Sequence, residues 1–432
     1  MASAYLTRTV TASTATSYTV SFWVKINNVN DTSTPYLWSI GSSAGNGIYL
    51  DSDGKIDFFR QSDTSYLTLY DGVLRDPSAW YHIVWSVNAG TGTAYVNGVT
   101  GNSHSSIPAL NDNTGTKINI HSYVTGAYNT LDCCMAHFHF IDGTAYDAST
   151  FGETDSTSGI WKPKASPTGI TYGTNGFFLK MENSGAMGTD SSGNSNTFTV
   201  SGTLTQNVDT ASNNFATYNP LDNYYASSTF SNGNTTIVTN SGNTTYNTST
   251  LGIPPTMKCY WETKFDTVQA ANGEVGIVNT PTTGSAAGAY RLYYQTYGIS
   301  VNDYGAIWSN NTNTGITLGT LSTSDIVCFA WDGVNQALYV RKNGDAWINS
   351  GDPTSGASKT GAVKTFTGTR TMFPAVGDQS GAHAVGTSTN FGNGYFGTTA
   401  ISSEGSNASG IGKFEYDVPA GYTALSTKGL NE

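Results

Sequence analysis

Charged side chains are scarce. Asp, Glu, Lys and Arg make up 11% of 432 residues, less than half the roughly 25% of an ordinary soluble domain. The nineteen Lys and Arg stand against thirty Asp and Glu, a net charge of −11. The basic residues are scattered, so the electrostatic footprint that DNA or RNA binding requires is missing. Cysteine is sparse as well: four residues, Cys133, Cys134, Cys259 and Cys328, two of them adjacent. That spacing excludes the regular disulfide framework of a small secreted domain and predicts reduced thiols. No apolar run approaches the ~18 residues of a membrane-spanning helix. The start, MASAYLTRTV, has neither the basic opening nor the apolar stretch of a signal peptide, which predicts synthesis in a cytosol. Helical periodicity is lacking too, because Gly, Asn and Thr interrupt almost every window.

Glycine (49), tyrosine (26), phenylalanine (18) and tryptophan (9) are plentiful, and they fall into period-two patterns. In Tyr18-Thr19-Val20-Ser21-Phe22-Trp23-Val24-Lys25-Ile26, the residues Tyr18, Val20, Phe22, Val24 and Ile26 share one face, which predicts a strand against a core. Tyr81, Ile83, Trp85 and Val87 do the same between Trp80 and Val87. Asn-Gly and Asp-Gly dipeptides, among them Asn46-Gly47, Asp53-Gly54, Asn97-Gly98, Asp332-Gly333 and Asn343-Gly344, tolerate the positive φ of tight hairpins. Many short strands between such turns predict an all-β protein of antiparallel β-sandwiches.

A meander with an Asn-Gly exit occurs once in each half, over residues 80–98 and 325–344. With about 100–200 residues per domain, this predicts two related sandwiches, over 1–152 and 214–432. Between them, residues 153–213 change composition: Pro163 and Pro167 punctuate the stretch, and Asp190-Ser191-Ser192-Gly193-Asn194-Ser195-Asn196 is almost wholly polar. One strand-like island, Gly176 to Met181, breaks it. The expectation is a connector with isolated strands that docks on a sandwich, since long structureless loops are uncommon in compact chains.

The order of short motifs resembles known families. Tyr18 to Lys25, Trp80-Tyr81-His82-Ile83-Val84 and Ala94-Tyr95-Val96-Asn97-Gly98 resemble the laminin-G/concanavalin-A-like jelly roll. Phe151-Gly152-Glu153-Thr154-Asp155, Gly159 to Lys164, Tyr172 to Phe177, Asp190 to Asn194 and Phe215 to Asp222 are similar to segments that follow this jelly roll in marine bacteriophage structural proteins. Tyr260-Trp261-Glu262, Gly276-Ile277, Asp325-Ile326-Val327, Phe373-Pro374-Ala375-Val376 and Pro419 to Thr427 resemble a SPRY domain. The resemblance implies a non-enzymatic virion protein with a jelly roll followed by a SPRY-like sandwich. The early first strand and the lack of heptads tilt this towards a capsid decoration or appendage protein, with a tail fibre or tail adhesin as the alternative. Implied partners are other virion proteins, capsid or tail, and copies of itself in an oligomer or array. Host-surface glycans are a further partner class, and no nucleic acid or membrane insertion is expected.

Candidate chemistry is thin. Jelly-roll glucanases carry alternate carboxylates on one strand, yet Glu153-Thr154-Asp155 lacks a third and Glu262 and Asp266 stand ~13 Å apart along a strand. No catalytic residue is therefore expected, and a glycan-degrading enzyme is the second alternative. Cys133, His137 and His139 alternate on one strand face, a row rather than the converging set a metal needs. His82, His104, His121 and His383 are isolated. No metal or other cofactor is expected, with Ca²⁺ the one candidate, at Asp51-Ser52-Asp53-Gly54 or Asn111-Asp112-Asn113. Exposed aromatics beside neutral polar groups suit sugars. Tyr290 to Tyr297, read as a strand, puts Arg291, Tyr293, Gln295 and Tyr297 on one face, with Tyr304 and Trp308 in a following loop. The candidate stacking residues are Tyr293, Tyr297, Tyr304 and Trp308.

Overall fold

The computed structural model describes residues 4–29, 31, 33–110, 116–125, 131–164, 167–223, 227–240, 244–268, 272–280, 291–379 and 384–431. Two compact units divide the chain: Met1–Gln206 with Thr210–Ser212, and Asn207–Asp209 with Asn213–Glu432. Regular structure among the described residues is β-strand and short 3-10 turns. The chain is all-β.

In the first unit a seven-stranded sheet runs in the order Thr199–Ser201, Tyr5–Thr9, Lys117–Ile120, Tyr36–Gly41, Gly45–Leu50, Ile56–Arg60, Ser65–Tyr70. A six-stranded sheet runs Phe177–Leu179, Cys133–Asp142, Tyr18–Ile26, Trp80–Asn88, Thr91–Val96, Val99–His104. All pairings are antiparallel. The expected faces meet in one core: Tyr18, Val20, Phe22, Val24, Ile26, Ile83, Trp85 and Val87 pack with Trp38, Ile40, Ile48 and Phe58. Ring contacts cross between the sheets at Phe58–Trp85 (5.4 Å) and Trp38–Phe140 (5.9 Å).

Alternation did not announce that Tyr18–Ile26 is buried on both faces. The second face lies under residues that follow the sandwich. Val84, Ile141, Ala148 and Phe151 form a smaller cluster there with Tyr95, Tyr146, Trp161, Ile170 and Tyr172. The stretch expected as a connector is largely part of this unit. Phe177–Leu179 pairs with Cys133–Asp142, and Thr199–Ser201 pairs with Tyr5–Thr9, so it closes one edge of each sheet. The polar run 190–196 is ordered by Asp190, whose carboxylate accepts N–H bonds from Phe178 (2.9 Å), Ser192 (2.8 Å) and Asn196 (2.8 Å). One carboxylate makes this polar run a folded loop.

In the second unit an eight-stranded sheet runs Thr229–Ser231, Thr236–Val238, Gly386–Asn390, Lys258–Phe265, Ile326–Asp332, Ala337–Lys342, Lys364–Thr365, with Thr423–Ala424 added in parallel to Lys258–Phe265. A six-stranded sheet runs Thr245–Thr248, Phe373–Asp378, Gly273–Val278, Ile299–Asn302, Ala306–Ser309, Thr312–Thr317. Between them Trp261, Phe329 and Trp331 pack with Val275, Ile277, Ile299, Val301 and Ile307. The outer face of the larger sheet is covered as well, by Phe414, Val418 and Tyr422 over Tyr260, Cys328 and Tyr339.

Candidate functional site

Trp308 lies on strand Ala306–Ser309, opposite Ser300, and not in the expected loop. Ile299, Val301 and Ile307 enter the core, so the alternation turns Ser300, Asn302 and Trp308 to the outer face. The same parity turns Glu274 outward from Gly273–Val278. The run 291–297 is not a strand. Leu292–Tyr294 form a 3-10 turn between extended residues Arg291 and Gln295, and Tyr290 lies outside the described residues. The turn is held by one local and one distant bond: Gln295 N donates to the Leu292 carbonyl (3.3 Å), and Leu292 N donates to Glu274 Oε2 on strand Gly273–Val278 (2.8 Å). The segment therefore crosses over the sheet instead of joining it.

This crossing separates the residues that alternation had grouped. Leu292 is buried with Tyr246, Val278 and Ala375. Tyr293 is 5% exposed and packs on Trp308 with ring centroids 5.1 Å apart. Tyr294 turns outward, 36% exposed, edge-on to Tyr293 at 4.8 Å. Arg291 Nη1 donates to the hydroxyls of both Tyr293 and Tyr294 at 3.0 Å, and its guanidinium sits 5.1 Å from the Tyr294 ring centre. Arg291, Tyr294 and Trp308 thus each touch Tyr293, which supports them as a small ledge.

Of the four expected stacking residues, Tyr293 and Trp308 meet, while Tyr297 and Tyr304 stand elsewhere. The Arg370 guanidinium lies 3.8 Å over the Tyr297 ring and Phe366 meets it edge-on at 5.5 Å, so one Tyr297 face is already occupied. Tyr304 is 52% exposed in the turn before Ala306–Ser309. It is four residues, roughly 13 Å along a strand, from Trp308. Tyr294 was missed, because on a strand it would have faced away from Tyr293.

Glu274 anchors the ledge from below. Oε2 holds Leu292 N, and Oε1 accepts from Ser300 Oγ and Gln379 Nε2, both at 3.1 Å. Burial pushes its carboxyl up to about 7, against the pull of those donors. Glu262 is likewise enclosed. It accepts from the Tyr260 hydroxyl (2.9 Å), Asn390 Nδ2 (3.3 Å), and the backbone N–H groups of Glu415 and Tyr416 (2.9 Å each). Burial raises it to about 7 also. Asp266 accepts from Ser388 Oγ (2.5 Å) and pairs with Lys264 (3.3 Å). Glu153 and Asp155 both pair with Lys162, at 3.8 and 2.8 Å, within the hairpin Gly152–Thr154 and Trp161–Pro163.

The histidine row dissolves at a β-bulge. Ala136 pairs with Trp23 and His139 with Ser21, so His137 and Phe138 together oppose Phe22, and His137 takes φ 49°. The extra residue flips the parity. Cys133 and Met135 lean on the core before the bulge, Phe138 and Phe140 enter it afterwards. His139 stacks on Phe178 with centroids 3.9 Å apart, and its Nδ1 bonds the Tyr172 hydroxyl at 2.9 Å. Among the described residues no group of three or more His, Cys, Asp or Glu side chains is arranged to hold a metal ion. Asp51-Ser52-Asp53-Gly54 is a hairpin turn closed by Asp51 N to the Lys55 carbonyl (2.8 Å) and Gly54 N to the Asp51 carbonyl (2.9 Å). Residues 111–113 and His383 lie outside the described residues.

His82 is a core residue. Its ring lies between Trp23 (4.7 Å) and Trp161 (6.0 Å). Trp161 Nε1 donates to His82 Nδ1 at 3.0 Å. An indole N–H can only donate, so the proton sits on Nε2 and is given to Ser21 Oγ, 2.9 Å away. Burial pushes this imidazole down to about 3.

Each unit also carries a shallow cavity. One of about 410 Å³ in the second unit is lined by Met257, Lys258, Val334 and Tyr422, and one of about 240 Å³ in the first by Ile40, Asn46, Gln61 and Pro108. Lys258 in the former is paired with Asp332 at 2.9 Å.

Residues 2–144 match the model of the concanavalin A-like lectin/glucanases superfamily. No curated protein matches the chain. Among solved structures it is similar to the SPRY domain of human HERC1, at 14% identity and TM-score 0.32, covering 40% of this chain and 96% of that one. It is similar also to the heptameric SAP-like pentraxin of Limulus polyphemus, at 16% identity and TM-score 0.28, covering 33% and 71%. A third is the Ruminococcus gnavus IT-sialidase CBM40 bound to α2,3 sialyllactose, at 13% identity and TM-score 0.23, covering 27% and 70%. In residues 2–144 the chain is similar to concanavalin A-like lectins and glucanases, and in fold it is an all-β protein of two antiparallel sandwiches.

Proposed function

We propose that this chain is a non-catalytic binding protein of a bacteriophage virion, a capsid decoration or appendage protein in the first instance, and that it binds host-surface carbohydrate. The observation that carries the binding reading is the ledge of Arg291, Tyr294 and Trp308. It offers an aromatic face for the apolar side of a sugar ring and donors beside it for hydroxyl oxygens. Catalysis is disfavoured by the very carboxylates that have the right acidity. Glu262 and Glu274 lie near 7, but both are fully enclosed and accept hydrogen bonds on both oxygens. They work as struts, whereas a glycosidase needs two carboxyls open to one sugar ring.

The virion setting is supported by the motif order over residues 151–222, and a tail adhesin is the variant of the same reading. The chain would assemble with capsid or tail proteins and with copies of itself. A glycan array tests the binding reading: micromolar binding is expected, lost in Tyr294→Ala and Trp308→Ala. Release of reducing sugar from a bound polysaccharide would overturn the non-catalytic part. Antibody labelling of purified particles tests the setting. Label over the shell supports decoration, label at the tail supports the adhesin, and unlabelled particles overturn both.

A further inference from the structure

Arg291 is the cation of the ledge, and among the described residues only one of its three nitrogens is engaged. Nη1 serves both tyrosine hydroxyls. Nε is enclosed without an acceptor, and among the described residues no hydrogen bond or ion pair engages Nη2. Nη1 lies on the Cδ side of the guanidinium, so Nε and Nη2 form the opposite edge, a two-pronged fork of parallel N–H groups matched to a carboxylate. Among the described residues no carboxylate bonds this fork. Glu274, whose field reaches Arg291, already holds Leu292, Ser300 and Gln379. Trp308 Nε1, on the ring that packs against Tyr293, is also enclosed without an acceptor, as are the core indoles of Trp38, Trp85 and Trp331. The Nε/Nη2 edge thus stands unanswered beside the Tyr294 ring, in a chain whose acids outnumber its bases thirty to nineteen. Buried donors are normally satisfied, and an acceptor supplied from outside the chain is one explanation for an exception.

We infer that the ledge reads an acidic sugar residue: a pyranose bearing a carboxylate, seated beside Tyr294 with its carboxylate on the Nε/Nη2 edge of Arg291. Arg291 and Tyr294 are both partly exposed, so they can part to admit that carboxylate while the sheet beneath stays fixed. The inference rests on the carbohydrate-binding reading and sharpens it from sugars in general to uronate-type sugars.

Calorimetric titration of the full chain tests it with trigalacturonate and trimannuronate, each against its methyl ester, and with neutral trisaccharides as a further arm. The acid forms are expected to bind at least tenfold more tightly than the esters. Arg291→Met should erase that preference and leave the residual ester affinity. Arg291→Lys, which keeps charge and loses the fork, should cut the preference below about threefold. Tyr294→Ala should lower affinity for acid and ester alike, and thermal melts confirm that each variant folds. If acid and ester bind equally, or Arg291→Met leaves the preference intact, the inference is overturned while carbohydrate binding stands. If neither acidic nor neutral sugars bind, both fall.

Discussion

Asn97 and His82 hold each other twice. Asn97 N donates to the His82 carbonyl at 2.9 Å, and His82 N donates back to Asn97 Oδ1 at 2.8 Å. The second unit repeats the device: Asn343 N reaches the Ile326 carbonyl at 2.9 Å and Ile326 N reaches Asn343 Oδ1 at 2.7 Å. In each case the amide side chain supplies a last rung to the hairpin ladder. Both asparagines are left-handed, φ 50° and 47°, and the glycine that follows is too. Few residues but Asn combine that backbone with a carbonyl in reach. Asn97→Ala and Asn343→Ala should each cost about 1–3 kcal/mol by stranding a strand N–H. The loss should appear as a drop of roughly 2–4 °C per kcal/mol in the melting of the affected unit alone. Asn→Gly at either site should cost less, since it keeps the backbone and loses only the bond.

The two units should respond to acid in opposite directions. His82 falls from 6.5 to about 3, and His139 is lowered well below its ordinary value, by burial in both cases. The unfolded first unit therefore binds more protons below pH 6.5, and stability present above that pH is lost as pH falls towards 3. Glu262 and Glu274 rise from 4.5 to about 7. There the folded form binds more protons between 4.5 and 7, so their contribution grows as pH falls through that window. Scanning calorimetry from pH 7.5 to 5 should show the first unit's transition moving down and the second's moving up. Parallel movement of the two transitions would contradict these assignments.

The bulge at His137 makes a local prediction. An L-residue in this conformation bears about 1–2 kcal/mol of strain that glycine does not. His137→Gly should leave the first unit as stable or slightly more so, and His137→Val, whose β-branch suits this backbone worse than His, should destabilise it by about 1 kcal/mol. Urea unfolding followed by tryptophan fluorescence distinguishes the two.

Tyr293, Tyr294 and Tyr297 should separate by readout. Tyr293→Ala removes a buried ring and should lower second-unit stability by about 2–4 kcal/mol. Tyr294→Ala should stay within about 0.5 kcal/mol of the parent while losing sugar binding. Tyr297→Ala should leave sugar binding unchanged, because its ring serves Arg370 and Phe366.

What the sequence made legible was the regular part. Alternation placed Tyr18, Val20, Phe22, Val24 and Ile26 in the core, and the Asn-Gly pairs marked the hairpins at 97 and 343. Period two assumes an uninterrupted strand, however. It failed at His137, where one inserted residue inverts every later face, and at 291–297, where Glu274 captures Leu292 N and bends the chain into a turn. Neither event has a local signature: the bulge is fixed by pairing across to Tyr18–Ile26, and the capture depends on a carboxylate on another strand. The candidate site was therefore half legible: Tyr293 and Trp308, named from the sequence, touch in the fold, whereas Arg291 was placed on a strand that does not form and Tyr294 was not named.

Because Phe177–Leu179 and Thr199–Ser201 close the flanks of the two sheets in the first unit, the segment that resembles a lectin, residues 2–144, is shorter than the compact unit that contains it. A fragment cut at residue 144 or 152 would expose raw ladders on both layers and should clump or swap strands, whereas one cut near residue 206 should remain dispersed. Anyone borrowing this module would do well to carry its tail along.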